Sequence, residues 1–300
     1  VAAISGSTVT GCGAIGEGVL ASGGGIFAKN VFLDKSVVSD NVVVSDVGGL
    51  GGGLGMNGAY FIAKYSAISD NSVEGFDLVP MGTAGGVYAN VQYTSISNTT
   101  ISGNTADSAG GAHFTHTVTV VDSTVSANYA SNIYGGLLVD GGAVVSSSTI
   151  AFNRQGRVSA NRPAGIGSDS MQLNSSILAY NMQDNGTELI EVDAGSTDGV
   201  ISGAKNIILA GSATTTLPGD TSTGCPRLAP LLSNGGLTPT HAILPGSAAM
   251  DSGNNVEPVD IDQRGNGFPR VVGSFPDIGA YEWSEGSGEV INRGGFETCD

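Results

Sequence analysis

Positive charge is scarce in this chain. It has 11 Lys and Arg against 27 Asp and Glu, a formal net charge of −16 over 300 residues. So few cations cannot neutralise a phosphate backbone or an anionic lipid face, which excludes nucleic acid and acidic membrane surfaces as partners. Charge of either sign is also sparse, at 13% beside 40% hydrophobic residues, and that excludes a disordered acidic chain. No apolar run approaches the roughly 20 residues that span a bilayer. The chain opens on "VAAISGSTVT" with no Met and no basic-then-apolar leader, and reads as a processed or trimmed product. Cysteine is limited to Cys12, Cys225 and Cys299, at spacings that fit no metal site. At most one disulfide can close within the chain. In an exported protein the expected pair is Cys225–Cys299 with Cys12 left over; three free thiols is the alternative.

Glycine is abundant, at 48 residues, but follows no Gly-X-Y period, so collagen is excluded. Ser, Thr, Asn and Val dominate the rest and favour strands and turns. The phrase Ser/Thr-x-Val/Ile/Leu-x-x-Asn recurs as "SVVSDN", "SAISDN", "TTISGN", "STVSAN", "STIAFN" and "SILAYN", ending at Asn41, Asn71, Asn104, Asn128, Asn153 and Asn181. An earlier copy, "STVTGC", ends at Cys12. Successive asparagines are 30, 33, 24, 25 and 28 residues apart, whereas a glycine pair stands 17 or 18 residues ahead of each of the first five, counted from Gly24, Gly53, Gly86, Gly111 and Gly136. A rigid part of nearly constant length therefore alternates with a loop of variable length. The longest loops are expected at 72–84 and 154–164.

Alternating apolar and polar residues, a period near 25 and no helical run describe a solenoid of short strands. The fold expected is all-β: a right-handed parallel β-helix of about seven or eight coils. Equivalent residues of successive coils then stack into ladders. Val38, Ile68, Ile101, Val125, Ile150 and Leu178 form an inward apolar ladder. Ser36, Ser66, Thr99, Ser123, Ser148 and Ser176 form an inward polar one. The asparagines sit at a turn, each amide bonding to the next coil.

Facing follows from "GGLLVDG", where Leu137 and Val139 point in, so Leu138 and Asp140 point out. The same register gives an outer column of Phe27, Gly55, Tyr88, His113, Leu138 and Gly167. A second column holds Lys29, Asn57, Asn90, Thr115, Asp140 and Asp169. Tyr88, Asn90, His113, Asp140 and Asp169 are the candidate ligand-binding residues: rings cover sugar faces, while amides and acids bond hydroxyls. An ordinary solvated sheet face is the simpler alternative. If the protein is an enzyme, hydrolysis would use the carboxylate pair Asp140 and Asp169. Lyase chemistry would use Arg154, Arg157 and Arg162 with Asp122 or Asp140. Neither set is a specific motif. No cofactor is called for, although Ca2+ is compatible with the acidic balance.

Past Asn181 the repeat blurs, with "DGVISGAKNIILAGS" as one further coil. From Cys225 the texture turns to Pro and Gly punctuation. Residues 1–224 are read as coils, 225–284 as a C-terminal cap over the last rung, and 285–300 as a tail or linker. Arg264 is expected to pair with Asp262, Asp277 or Glu282. The phrases "PLLSNGGLTPTHAILPGSAAMDSGN", "DQRG", "PR" and "PDIGAYEW", from Pro230 to Trp283, resemble the end of the bacterial choice-of-anchor Q domain proteins. The upstream units, with "GGGI", "GGVY", "GGAH" and "AFN", are similar to polymorphic outer-membrane protein repeats. The resemblance implies a right-handed parallel β-helix and an extracellular or bacterial cell-surface location, and carries no catalytic set.

Taken together these features lead to a non-enzymatic adhesive, carbohydrate-binding or assembly role. Polysaccharide or cell-surface glycan is the expected partner, and an open first rung would allow end-to-end self-assembly. A polysaccharide lyase or glycoside hydrolase is the alternative.

Overall fold

The computed structural model describes residues 1–76, 82–157, 162–184, 186–255 and 259–285. Among them there is no helix, hence none long and apolar enough to cross a membrane. Three parallel sheets run the length of the coils and form a β-solenoid of about seven turns. The first has eleven strands, from Ala2–Ser5 through Leu54–Lys64, Val87–Ser97, Leu137–Ser146 and Ile166–Asn174 to Ala194–Ser196 and Ile201–Ala204. The second has eight, nearly all of three residues, from Thr8–Thr10 to Ile207–Ile208. The third also has eight, from Gly13–Gly16 to Met182–Asp184, and ends with Leu189–Glu191 pairing antiparallel. The loops expected at 72–84 and 154–164 begin as strands of this sheet, Ser72–Glu74 and Arg154–Gln155. Residues 77–81 and 158–161 lie outside the described residues.

Backbone pairing joins Val9, Val38, Ile68, Ile101, Val125, Ile150, Leu178 and Ile208 into the inward ladder read from the sequence. From Val38 onward these side chains are buried, with the first sheet's Leu33, Leu54, Phe61, Phe114, Leu137 and Ile166 across the core.

Each end of the second sheet's strands is a corner. The residue before every ladder asparagine has positive φ, from Asp40 (56°) to Tyr180 (61°), as does the residue before every ladder Ser or Thr, from Lys35 (48°) to Ser175 (46°). Strain of that kind is tolerated where the surroundings fix it, and here the ladders do. The amide of Asn104 donates to Asn128 Oδ1 at 2.9 Å and to the Ile68 carbonyl at 3.0 Å, and its backbone N–H donates to the same Oδ1 at 3.0 Å. The pattern repeats from Asn41 to Asn181. In the Ser/Thr ladder, each backbone N–H donates to the next hydroxyl, as Ser123 does to Ser148 Oγ at 3.2 Å.

The second glycine of each pair lies flat on the ladder amide. A Cβ at Gly111 would stand 3.1 Å from Asn128 Cγ and close on the Gly136 carbonyl, and the same relation pairs Gly25 with Asn41 and Gly53 with Asn71. The spacing in the sequence therefore reflects a direct contact. In the first unit the glycine concerned is Gly25, one residue beyond the Gly24 used for counting.

The C-terminal segment departs from the expected position. Turns over residues 209–224 form the last partial rung, bridging Ala194, Val200 and Ile207, and Leu217 packs on the end of the core. Residues 225–255 and 259–285 instead fold back along the outer face of the second sheet. There Leu228, Ala242, Ile243, Ile278 and Tyr281 bury the outward side chains of Ala151, Ile177, Ala179 and Ile207. The strap reaches back past Asn98, whose amide donates to the Asp262 carbonyl at 3.1 Å, to Tyr65, whose ring would lie 3.3 Å from a Cβ at Gly265. The physical reason is that the last coils are apolar outside as well as inside, so their flank needed covering more than their end.

Arg264 does pair with Asp262, at 2.6 Å, and it also donates to the Glu282 carbonyl and lies over the rings of Phe268 and Tyr281. Cys225 is bonded in a disulfide and Cys12 is free and exposed. Cys299 and the tail from 286 onward lie outside the described residues.

Candidate functional site

The first sheet leaves its outer face open. Pairing aligns Phe27, Gly55, Tyr88, His113, Leu138, Gly167 and Gly195, the column expected from "GGLLVDG" with one further member. Two features interrupt its regularity. Val139 pairs with Ser168 but Gly142 pairs with Ser170, so Asp140 and Gly141 together oppose Asp169. A bulge of this kind re-aims side chains and is common beside functional sites. Secondly, Tyr134 precedes the glycine pair in a positive-φ conformation (59°), its N–H bonded to buried Gln155 Oε1 at 2.8 Å. Its ring lies on Gly167, where a Cβ would overlap Tyr134 Cε1.

Between these features lies a cleft of about 160 Å3, lined by Tyr134, Leu138, Asp140, Ser168, Asp169, Gly195, Ser196 and Thr197. Asp169 Oδ1 accepts from Thr197 Oγ1 at 3.0 Å. Asp140 Oδ2 meets His113 Nε2 at 2.8 Å, with side chains 50% and 14% exposed. Nδ1 of His113 is buried without a hydrogen-bond partner among the described residues. Tyr88 stands edge-on to His113, ring centroids 5.4 Å apart. On the same strand as Tyr88, Asn90 accepts from Thr115 Oγ1 at 2.8 Å and donates to Asn57 at 3.4 Å. Burial raises the phenol pKa of Tyr88, and Asp140 adds to the rise. Burial likewise raises that of Tyr134, where Arg162 opposes and both Asp140 and Asp169 reinforce the shift. The fields of the two carboxylates therefore meet at one phenol.

Asp140 and Asp169 thus share the cleft, with His113 and Tyr88 continuing the surface from Asp140 and Asn90 set further along. Tyr134, Ser196 and Thr197 were missed from the sequence. Tyr134 falls before the glycine pair, outside the strand register, and its only signal is an aromatic where Ala84 and Ala109 stand in the preceding coils.

Of the three loop arginines Arg162 does come near: it lies outside the lining, but its charge acts on Tyr134. Arg154 lies in the third sheet and bonds Asp184, and Arg157 is exposed with its carbonyl bonded to Gln155. Neither lines the cleft, because the third sheet turns away before the loop begins. Asp122 is buried beneath the strap, 3.7 Å from Arg270, and is unavailable to any substrate. His116 is exposed and bonds Thr115 Oγ1 at 3.0 Å. Among the described residues no three His, Cys, Asp or Glu side chains are grouped to hold a metal ion. Set against family models, curated proteins and solved structures, the chain matches none of them.

Proposed function

We propose that this chain is an exported surface or matrix protein that binds an extended glycan along the outer face of its first sheet. The observation that carries this reading is the cleft itself. A tyrosine ring, two carboxylates and three hydroxyl side chains converge on about 160 Å3, and a His113–Tyr88 platform continues it along the stack. Aromatic faces cover sugar rings, and acids and hydroxyls bond sugar hydroxyls. Export is supported by the disulfide at Cys225, a bond that persists in oxidising compartments, and by the resemblance of residues 230–283 to choice-of-anchor Q domain proteins.

A second reading, glycoside hydrolysis, draws on the two carboxylates facing one cleft, the arrangement that such chemistry requires. Incubation with a panel of neutral, uronate-containing and amino-sugar polysaccharides tests both readings, followed by size-exclusion chromatography and titration calorimetry. Binding of intact chains that is lost in Tyr134→Ala supports the binder. Shortened chains, with shortening lost in Asp169→Asn, overturn it in favour of the hydrolase. Intact chains without binding to any member of the panel refute both.

A further inference from the structure

The cleft also carries a charge preference. Its lining includes Asp140 and Asp169 and no Lys, Arg or His. The bulge at 140–141 places the two acids against each other across neighbouring coils. His113 occupies Oδ2 of Asp140 and Thr197 occupies Oδ1 of Asp169. Among the described residues, the other oxygen of each remains for a ligand. Both acids are exposed, so the position is open from solvent. The opposing charge, Arg162, lies outside the lining; at Tyr134 it acts more strongly than either carboxylate alone and against both.

We propose that this cleft takes the free amine of an amino-sugar residue, so that the glycan bound along the first sheet is a de-N-acetylated, cationic one. The inference rests on the glycan-binding reading above and narrows it. A protonated amine donates three N–H bonds and accepts none, which suits two carboxylate oxygens. Such charge-assisted bonds are shorter and stronger than those between neutral groups. The Tyr134 ring offers its face both to the cation and to the sugar. Ser196 and Thr197 donate their hydroxyl protons to Asp169 and keep lone pairs to accept from sugar hydroxyls. An N-acetyl group replaces the cation with a neutral amide, and a uronate is repelled by both acids.

The test is calorimetric titration of the full chain with glucosamine oligomers and with N-acetylglucosamine oligomers of equal length, at pH 6 and low salt, with uronate oligomers as a third arm. The free-amine series is expected to bind more tightly than the acetylated one by on the order of tenfold. In Asp140→Asn and in Asp169→Asn that ratio should fall toward one, while circular dichroism shows the coils intact. Added salt should reduce the wild-type ratio, because the cleft is open to screening. Equal affinity for the two series, or a ratio that survives both substitutions, overturns the amine preference while leaving glycan binding in place. Tighter binding of the uronate arm also overturns it. Failure of all three series to bind overturns the amine preference, and the glycan reading falls with it when the neutral polysaccharides of the panel fail too.

Discussion

Asn128→Ala isolates what a ladder amide contributes. The wild-type side chain makes four bonds: its amide donates to Asn153 Oδ1 at 2.9 Å and to the Ile101 carbonyl at 3.0 Å, and its oxygen accepts from the Asn104 amide at 2.9 Å and the Asn104 N–H at 3.0 Å. Truncation leaves two buried donors of Asn104 facing a hole. Asn153 Oδ1 keeps the Asn128 N–H at 3.1 Å. An unsatisfied buried polar group costs about 1–3 kcal/mol, so two cost roughly 2–6 kcal/mol, before any loss of packing against Gly111. For a chain of this size that corresponds to a fall in Tm on the order of 4–12 °C. A solenoid can unfold in stages, so the local readout is amide hydrogen exchange at Asn104, whose N–H should lose protection before its neighbours. The matched control is Asn57→Ala: Asn57 is exposed on the first sheet, and its loss should stay within about 0.5 kcal/mol. A Tm change under 2 °C for Asn128→Ala, with Asn104 still protected, would refute the argument that the amides hold the corner.

Gly167→Ala should push Tyr134 off its seat, so glycan binding falls at least severalfold while the coils persist by circular dichroism. Asp193→Asn, although nearly isosteric, turns an amide hydrogen toward the Ala210 N–H and should lower stability by about 1–3 kcal/mol in urea unfolding. Arg270→Met leaves Asp122, Asp277 and Glu282 without the guanidinium that they surround, and should release the strap to limited proteolysis; an unchanged cleavage rate would count against its role. Burial pushes Asp122 and Glu282 each up to about 7 and raises Glu191, Asp193 and Asp277 as well, against about 4 in an unfolded chain. Between about pH 4 and 7 the folded chain therefore holds more protons than the unfolded one, and stability falls as pH rises through that window. His241, held down to about 4 by burial, acts the other way, losing stability as pH falls from about 6.5 toward 4. Five carboxyls outweigh one imidazole, so Tm should be higher at pH 5 than at pH 8, and the reverse order would contradict the burial argument.

The coils were legible because a solenoid writes each contact several times. The asparagine phrase, the inward Val38-to-Leu178 ladder and the outer Tyr88–His113–Leu138 column could each be read off one coil and checked against five others. What was illegible occurs once. Tyr134 belongs to no repeated position, and the bulge at Asp140–Gly141 appears only when neighbouring strands are paired. The strap had a signal that was passed over. At the corner before the asparagine, Asp40, Asp70, Gly103 and Ala127 give way to Phe152 and Tyr180, and on the outer face of the second sheet Ser39, Ser69 and Ser102 give way to Ala151 and Ala179. Apolar residues appearing on a solvent face mark where something lies against it. Phe152 and Tyr180 stack on each other at 5.0 Å, and His241 of the strap packs on Phe152 at the same separation.

Both ladders run in one direction, and each stops at a change of residue type. In the asparagine ladder every member passes its backbone N–H and one amide hydrogen to the next coil, so the last coil must supply an acceptor. Asp193 does so: Oδ1 takes both bonds of Asn181, at 2.8 and 3.1 Å, and Oδ2 takes the Ala210 N–H at 2.8 Å. The Ser/Thr ladder ends at Asn206, whose Oδ1 takes the Ser176 N–H at 3.0 Å while its amide donates to the Leu173 carbonyl at 2.8 Å. Ladder hydroxyls reach the equivalent carbonyl only at longer range, 3.3 Å from Ser36 to Ile4 and 3.5 Å from Ser176 to Val145, so the longer amide makes the closer bond. Aligned amides place the donor end of a row of dipoles at Asp193, where a carboxyl oxygen suits it best. The same interlocking fixes register, since a coil slipped by one residue would break both ladders at once. Register in turn sets which residues of neighbouring coils meet on the open face. Asp169 lies a full coil beyond Tyr134 and Asp140, and it shares their cleft because the ladders behind them allow one alignment of the coils.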